Sequence, residues 1–429
     1  MTYSHIPTTL KAIQNNETDL HEVIDQLKTS FEKTEETLFS FLTEDRRFER
    51  LHQEAEELYH KYPTPESRPA LFGLLIGVKD IFRAKGFETR AGSRLPAELF
   101  AGAEAESVSL MKAAGALVMG KTVSTEFAYF APGKTTNPVN SGHTPGGSSS
   151  GSAAAVGAGL APFAFGSQTI GSISRPASYC GVVGLKPSFG RISREGVIPV
   201  SLSVDHVGYF TKNVLSAQFT APFLYKDWQV KEYPSRKPIV GIPIGPLLDQ
   251  ADEEMLKHFE NRVNKLEQAG YQVKRVQAMP DFDEINQRHN AIVAVDAAEV
   301  HQDWFKEYRH LYHPKTVELI LKGQKTTHEE YQSALPGRGK LRHELSALMN
   351  LHQIELWLSP GAQGAAPLGL DSTGLPIMNM PWTHCGFPTL TVPMGINPDG
   401  LPLGMQIAAD WYQDEFLLEW ALELEKVLL

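Results

Sequence analysis

Between residues 141 and 191 the chain reads SGHTPGGSSSGSAAAVGAG and then, past an apolar FAFG, GSQTIGSISRPASYCGVVGLKP. A run so dense in Gly, Ser and Ala is ordinarily a flexible linker. That reading fails on context, because strand-like and ordered-looking sequence follows it directly. Small residues inside a packed region mark places where backbones approach closely. The block is therefore expected in the interior, and the rest of the fold has to close around it.

The flanks show what closes around it. Helical spacing of Leu20, Val23, Ile24 and Leu27, and of Phe48, Leu51 and Leu58, predicts helices over residues 9 to 61, broken by Pro63 and Pro65. LLIGV, ending at Lys79, reads as a strand, followed by a helix from Glu106 to Ala114 and a strand from Ala116 to Met119. After Asn213 the alternation resumes with IVGIPIG, a helix from Ala251 to Gln268 and YQVKRV, and a charged helical stretch runs from about Asp281 to Leu351. Such alternation predicts an α/β fold with a buried sheet.

With 40 Lys and Arg against 50 Asp and Glu, the net charge of −10 argues against nucleic acid as a partner and against docking on an anionic membrane. No stretch is apolar for long enough to span a membrane, and Met1 to Leu20 lacks a leader's pattern. Cys180 and Cys385 are too few for a disulfide scaffold and are expected as separate buried thiols. The expected location is the cytoplasm.

Three patterns compete to carry chemistry. Gly115, Gly120, Lys121 and Thr122 satisfy the phosphate-loop spacing, but a helix precedes Gly115 and the interior is itself apolar strand. Gly147, Ser149 and Gly151 satisfy G-x-S-x-G, yet Ser149 follows a polar turn where an esterase elbow needs a strand. HExxH is absent: His328-Glu329 leads to Gln332 and His343-Glu344 to Ala347. The third pattern has no histidine: a strand-end Lys79, a serine cluster after Gly146-Gly147, and Ser172 in a turn after an apolar segment.

Taken together, this third pattern resembles the amidase signature family. The resemblance extends to GVKD at Gly77 to Asp80, GKT and EF between Gly120 and Phe127, VSLSVDHVGYFTKNV, NMPWTHCGFPTLTVPMG and GLPLGMQIA. It is dense over about residues 68 to 213 and 358 to 407, while 214 to 350 matches only in outline. It implies one amidase domain over 1–429 with a central mixed β-sheet surrounded by helices. Within it, 1–67 would be N-terminal helices, 68–213 the signature core, 214–350 a variable region and 351–429 the closing strands and helix.

The resemblance also assigns roles. Ser172 becomes the nucleophile, Ser148 the bridging serine behind a cis peptide, and Lys79 the base, with the serine separation 172 − 148 = 24 matching the family's. Backbone amides of Thr169, Ile170, Gly171 and Ser172 would hold the oxyanion. No cofactor or metal is implied, and a homodimer is the assembly that family habit suggests. The chemistry agrees with the residue types. A serine hydroxyl must lose its proton to attack an amide, and lysine accepts it only when burial keeps the amine neutral. Asp80 alternates to the opposite side of the strand and so need not re-stabilise an ammonium.

Three positions depart from the family pattern: Ile170 where a small residue is usual, Gln168 for Asp, and Ser150 for Gly. A β-branched residue resists positive φ, so either Ile170 is not left-handed or the turn differs. Arg175, three residues after Ser172, could receive a substrate carboxylate, but an ion pair with Asp205 is the favoured reading. Tyr129, Trp382 and Phe387 are pocket candidates, although aromatics in such settings are more often core. The expected function is hydrolysis of a small amide, carbamate or ureido substrate through an acyl-serine. The alternatives are the amidase (glutaminase) component of a tRNA-dependent amidotransferase and, further off, a nucleotide-binding protein.

Overall fold

The computed structural model describes residues 5–230 and 236–429; Met1–Ser4, the start of the stretch read for a leader, lie outside the described residues. Ten strands form one sheet: β1 Leu75–Lys79, β2 Leu117–Thr122, β3 Phe163–Gln168, β4 Val183–Lys186, β5 His206–Thr211, β6 Val240–Ile244, β7 Val273–Gln277, β8 Leu356–Pro360, β9 Thr389–Ile396 and β10 Pro402–Ala409. Their order is β2-β1-β3-β5-β4-β9-β10-β8-β6-β7. Parallel pairing joins β2, β1 and β3 at one end and β8, β6 and β7 at the other. The strands between them pair antiparallel. This is a mixed sheet with helices around it, as the resemblance implied.

Burial explains which segments became strands. β1, β2, β3 and β10 are buried along their whole length, which is why their sequences run apolar or small instead of alternating. The N-terminal helix Leu20–Leu38 buries Leu20, Val23, Ile24 and Leu27, the stripe its spacing predicts, and Asp19 caps it by accepting from the His21 amide. The charged stretch after Asp281 forms helices Phe282–Val300, Gln302–Tyr308, Pro314–Lys325, His328–Ala334 and Pro336–His352. No helix among the described residues is long and apolar enough to cross a membrane.

The Gly/Ser/Ala block is packed. Helix Ser150–Gly157 is buried on all sides but its end, and the Gly151 amide donates to Val123 O at 3.0 Å. A Cβ on Gly151 would stand 2.2 Å from Ser40 O and 2.4 Å from Val123 N, so only glycine admits this approach. The phosphate-loop pattern dissolves in the same neighbourhood. Gly120, Lys121 and Thr122 belong to β2, and Lys121 Nζ is spent on Asp80 at 3.1 Å, Phe82 O at 2.8 Å and Thr89 Oγ1 at 3.2 Å. Both cysteines are free and buried.

Candidate active site

β1 and β3 are parallel neighbours, so their carboxyl ends lie on one edge of the sheet, where α/β folds gather functional residues. Lys79 ends β1 and Ser167 lies at the end of β3; helix Ser150–Gly157, preceded by Ser148 and Ser149, starts above them. Lys79 Nζ lies 2.9 Å from Ser148 Oγ, 2.9 Å from Ser149 Oγ and 2.8 Å from Ser167 Oγ. Sequence reasoning names only the first of these. Ser149 draws attention there only as the centre of a failed esterase elbow, and Ser167 becomes visible only through the strand register.

The amine is completely buried, and among the described residues no carboxylate bonds it. Burial pushes the Lys79 pKa well below the ordinary lysine range, against a weaker upward pull from Asp205. Asp80 is turned away, as strand alternation requires: it faces Lys121 and accepts from the Arg90 and Gly92 amides, each at 3.2 Å. Burial favours the neutral amine, and an amine ringed by hydroxyls has the chemistry of a base with a route for protons.

The Gly147-Ser148 peptide is cis, as the resemblance implied. Thr125 N donates to Ser148 O at 3.1 Å, and the Thr125 hydroxyl donates to Tyr129 O, so Thr125 links the Ser148 backbone to that of half-buried Tyr129. Ser172 is buried to 8% exposure in the turn between β3 and helix Ser174–Cys180. Its hydroxyl makes no hydrogen bond to Ser148 or Lys79 among the described residues. The arrangement thus joins Lys79 and Ser148 directly, while Ser172 lies in the turn that follows β3.

Ile170 has no positive φ, which resolves the conflict between a β-branched side chain and a left-handed turn. The amides of Thr169, Ile170, Gly171 and Ser172 donate to no protein acceptor among the described residues. Gly171 is needed for space: a Cβ there would lie 2.4 Å from Asn379 Oδ1 and 2.7 Å from Pro376 Cβ. Gln168 holds the turn together. Its Oε1 accepts from the Ile173 and Ser174 amides at 2.7 and 2.9 Å, and its Nε2 donates to Thr383 Oγ1 at 2.9 Å.

The expected Arg175–Asp205 ion pair is not formed. Asp205 is occupied by Thr169 Oγ1 at 2.6 Å and by the Val200 and Ser201 amides. Arg175 Nη2 donates instead to Gly147 O at 2.6 Å and Thr373 Oγ1 at 3.1 Å, while its Nε and Nη1 are buried without partners among the described residues. Burial lowers its pKa to about 10. Trp382 and Phe387 are fully enclosed in the core.

Lys79 also fixes the expected pH dependence. If Lys79 is the base it must be unprotonated, and turnover is then expected to be lost as pH falls through its depressed pKa and retained above it. Because Asp205 pulls that pKa up, Asp205→Asn is expected to move the acid limb of kcat/KM to lower pH. An unmoved or raised limb would assign it to another group.

Comparison with known proteins identifies the family and the fold. The family model described as Amidase matches residues 22–418. The chain is 31% identical to a glutamyl-tRNA(Gln) amidotransferase component from Thermus thermophilus, with 88% of each protein covered. It is 28% identical to the component of the same name from Koribacter versatilis, over 99% of this chain and 98% of that one. Among solved structures, one described as a crystal structure of amidase superposes with a TM-score of 0.89 at 28% identity, covering 98% of this chain and 99% of that one. The peptide amidase of Stenotrophomonas maltophilia shares the fold, with a TM-score of 0.84 at 24% identity and coverage of 99% and 96%. The chain belongs to the amidase family and is a hydrolase of carbon–nitrogen bonds other than peptide bonds.

Proposed function

We propose that the protein is a free-standing amidohydrolase that cleaves a small amide through an acyl-Ser172 intermediate. The observation that carries this reading is the Lys79 amine, sealed from water and bonded only by hydroxyls. Ser172 Oγ attacks the carbonyl carbon as its proton passes to Ser148, whose own proton passes to Lys79. The unengaged turn amides receive the oxyanion. Collapse breaks the C–N bond, and the same relay returns the proton to the departing amine. Water then repeats the route on the ester, releasing the acid and restoring Ser172.

Arg175 gives the substrate a finer description. A buried guanidinium with two unpartnered nitrogens and no carboxylate beside Gly147 fits an acyl group that carries its own carboxylate. The competing reading, a glutaminase component of a tRNA-dependent amidotransferase, is supported by the names of the curated relatives. Gln168 in place of Asp, and a region 214–350 that follows the family only in outline, favour the free-standing enzyme.

The test is ammonia or amine release by the purified protein across amides, ureas, carbamates, their carboxylate-bearing counterparts and glutamine. Acid-quenched samples are read by mass spectrometry for acyl-Ser172. Turnover of a non-glutamine amide by the chain alone supports the proposal. Activity confined to glutamine and dependent on co-purified partner proteins supports the competing reading. Arg175→Ala is expected to lower kcat/KM about 10²-fold on the carboxylate-bearing members and far less on neutral ones, the size of a lost charged hydrogen bond. Equal loss on both would remove carboxylate recognition.

A further inference from the structure

The turn that carries Ser172 is gripped from behind by residues far away in sequence. His289, on helix Phe282–Val300, has Nε2 3.0 Å from Thr169 O, and Thr383, on helix Met380–Cys385, donates Oγ1 to Ile170 O at 2.7 Å. The peptide bonds of this turn are trans. In a trans peptide the carbonyl and the following N–H point in opposite directions. Holding the Thr169 carbonyl therefore aims the Ile170 amide, and holding the Ile170 carbonyl aims the Gly171 amide.

Proton positions follow from the partners of His289. A carbonyl only accepts, so His289 Nε2 carries hydrogen, and in a neutral ring its Nδ1 must then accept. Facing it is His384, whose Nδ1 lies 3.3 Å away, with the two rings at 74°. Both rings are fully buried. Burial lowers the His289 pKa to about 4 and that of His384 to about 2, the latter also repelled by His289, Arg338 and Arg288. Both shifts favour the neutral form of each ring.

The same helix holds Thr169 by a second route. Asp296 accepts from Ser201 Oγ and Ser203 N, fixing the segment from which Asp205 accepts the Thr169 hydroxyl at 2.6 Å.

We propose that His289, oriented by His384, is a positioning residue of the oxyanion hole: it fixes the Thr169–Ile170 peptide so that the Ile170 amide faces the reacting carbonyl. This rests on reading Ser172 as the nucleophile. It gives the middle region, otherwise divergent, a part in catalysis.

The test compares His289→Met and His289→Gln on p-nitrophenyl acetate and on the best amide of the panel, with Ser172→Ala alongside. Methionine fills the space without a donor. Glutamine offers a side-chain N–H with reach similar to Nε2. His289→Met is expected to lower kcat about 10- to 10²-fold with KM within about twofold, since loss of a whole oxyanion donor costs about 10²–10³. His289→Gln is expected to return kcat to within about threefold of wild type. Should the methionine variant misfold, His289→Asn, too short to reach the carbonyl, takes its place. Unchanged kcat, a rise in KM alone, or a glutamine variant as slow as the others overturns the proposal. An inactive Ser172→Ala beside a full-speed His289→Met overturns this inference alone; a Ser172→Ala that still turns over overturns the site reading with it.

Discussion

Ser172→Ala will release neither ammonia nor amine from any substrate the wild type cleaves, with turnover lower by at least about 10⁴-fold. The expectation follows from what the other groups can do alone. Turn amides and a bound substrate still stabilise an oxyanion, but without Ser172 Oγ no covalent intermediate forms, and a water would have to find both the carbonyl and the Lys79 relay. The substitution removes one atom from a side chain that makes no hydrogen bond to the relay in this state, so the melting temperature should stay close to wild type. Turnover at a tenth of the wild-type rate would end the nucleophile assignment, whatever the substrate.

The second large effect is at Lys79. Lys79→Met should cost about 10³- to 10⁴-fold, because removing the base of such a unit is nearly as damaging as removing the whole of it. The double variant Lys79→Met/Ser172→Ala should be no worse than Ser172→Ala. Lys79→Arg supplies the sharper contrast. Guanidinium carries a permanent positive charge and cannot shed its proton. If Lys79 acts as a base, the arginine variant is as inactive as the methionine variant. If Lys79 instead acts as a fixed positive charge, arginine restores activity and the relay through Ser148 is wrong. Thermal melts of both variants separate chemistry from loss of fold, since each leaves the three serine hydroxyls around a foreign side chain.

Much of this is readable from the chain because the decisive features are local. The stripe over Leu20 to Leu27, the apolar strand ending at Lys79 and the small residues of Ser150–Gly157 each declare themselves within a few residues. The failed phosphate loop is readable for the same reason, since an apolar run before Lys121 forces a strand. Ser167 is not, because its place beside Lys79 depends on the register Ile76↔Phe163 between strands far apart in the chain. His289 and His384 are hidden more deeply: they lie 95 residues apart, and nothing about either helix in isolation says that its histidine faces the other. Arg175 misleads in a different way. A charge near a carboxylate in an imagined turn suggests a pair, but the backbone supplies Asp205 with donors first and leaves Arg175 to a carbonyl.

The enclosure of Lys79 gives the protein an uncommon chemical profile. At neutral pH an ordinary surface lysine is almost wholly protonated and therefore a poor nucleophile, yet it is open to any electrophile in solution. Lys79 reverses both tendencies: burial favours the unprotonated amine, and the side chain has no solvent-exposed surface. Reactivity and accessibility, which usually rise together along a polypeptide, are here assigned to different lysines. On the proposed mechanism, the electrophile that draws on this basicity is one that has entered the site and presented its carbonyl to Ser172.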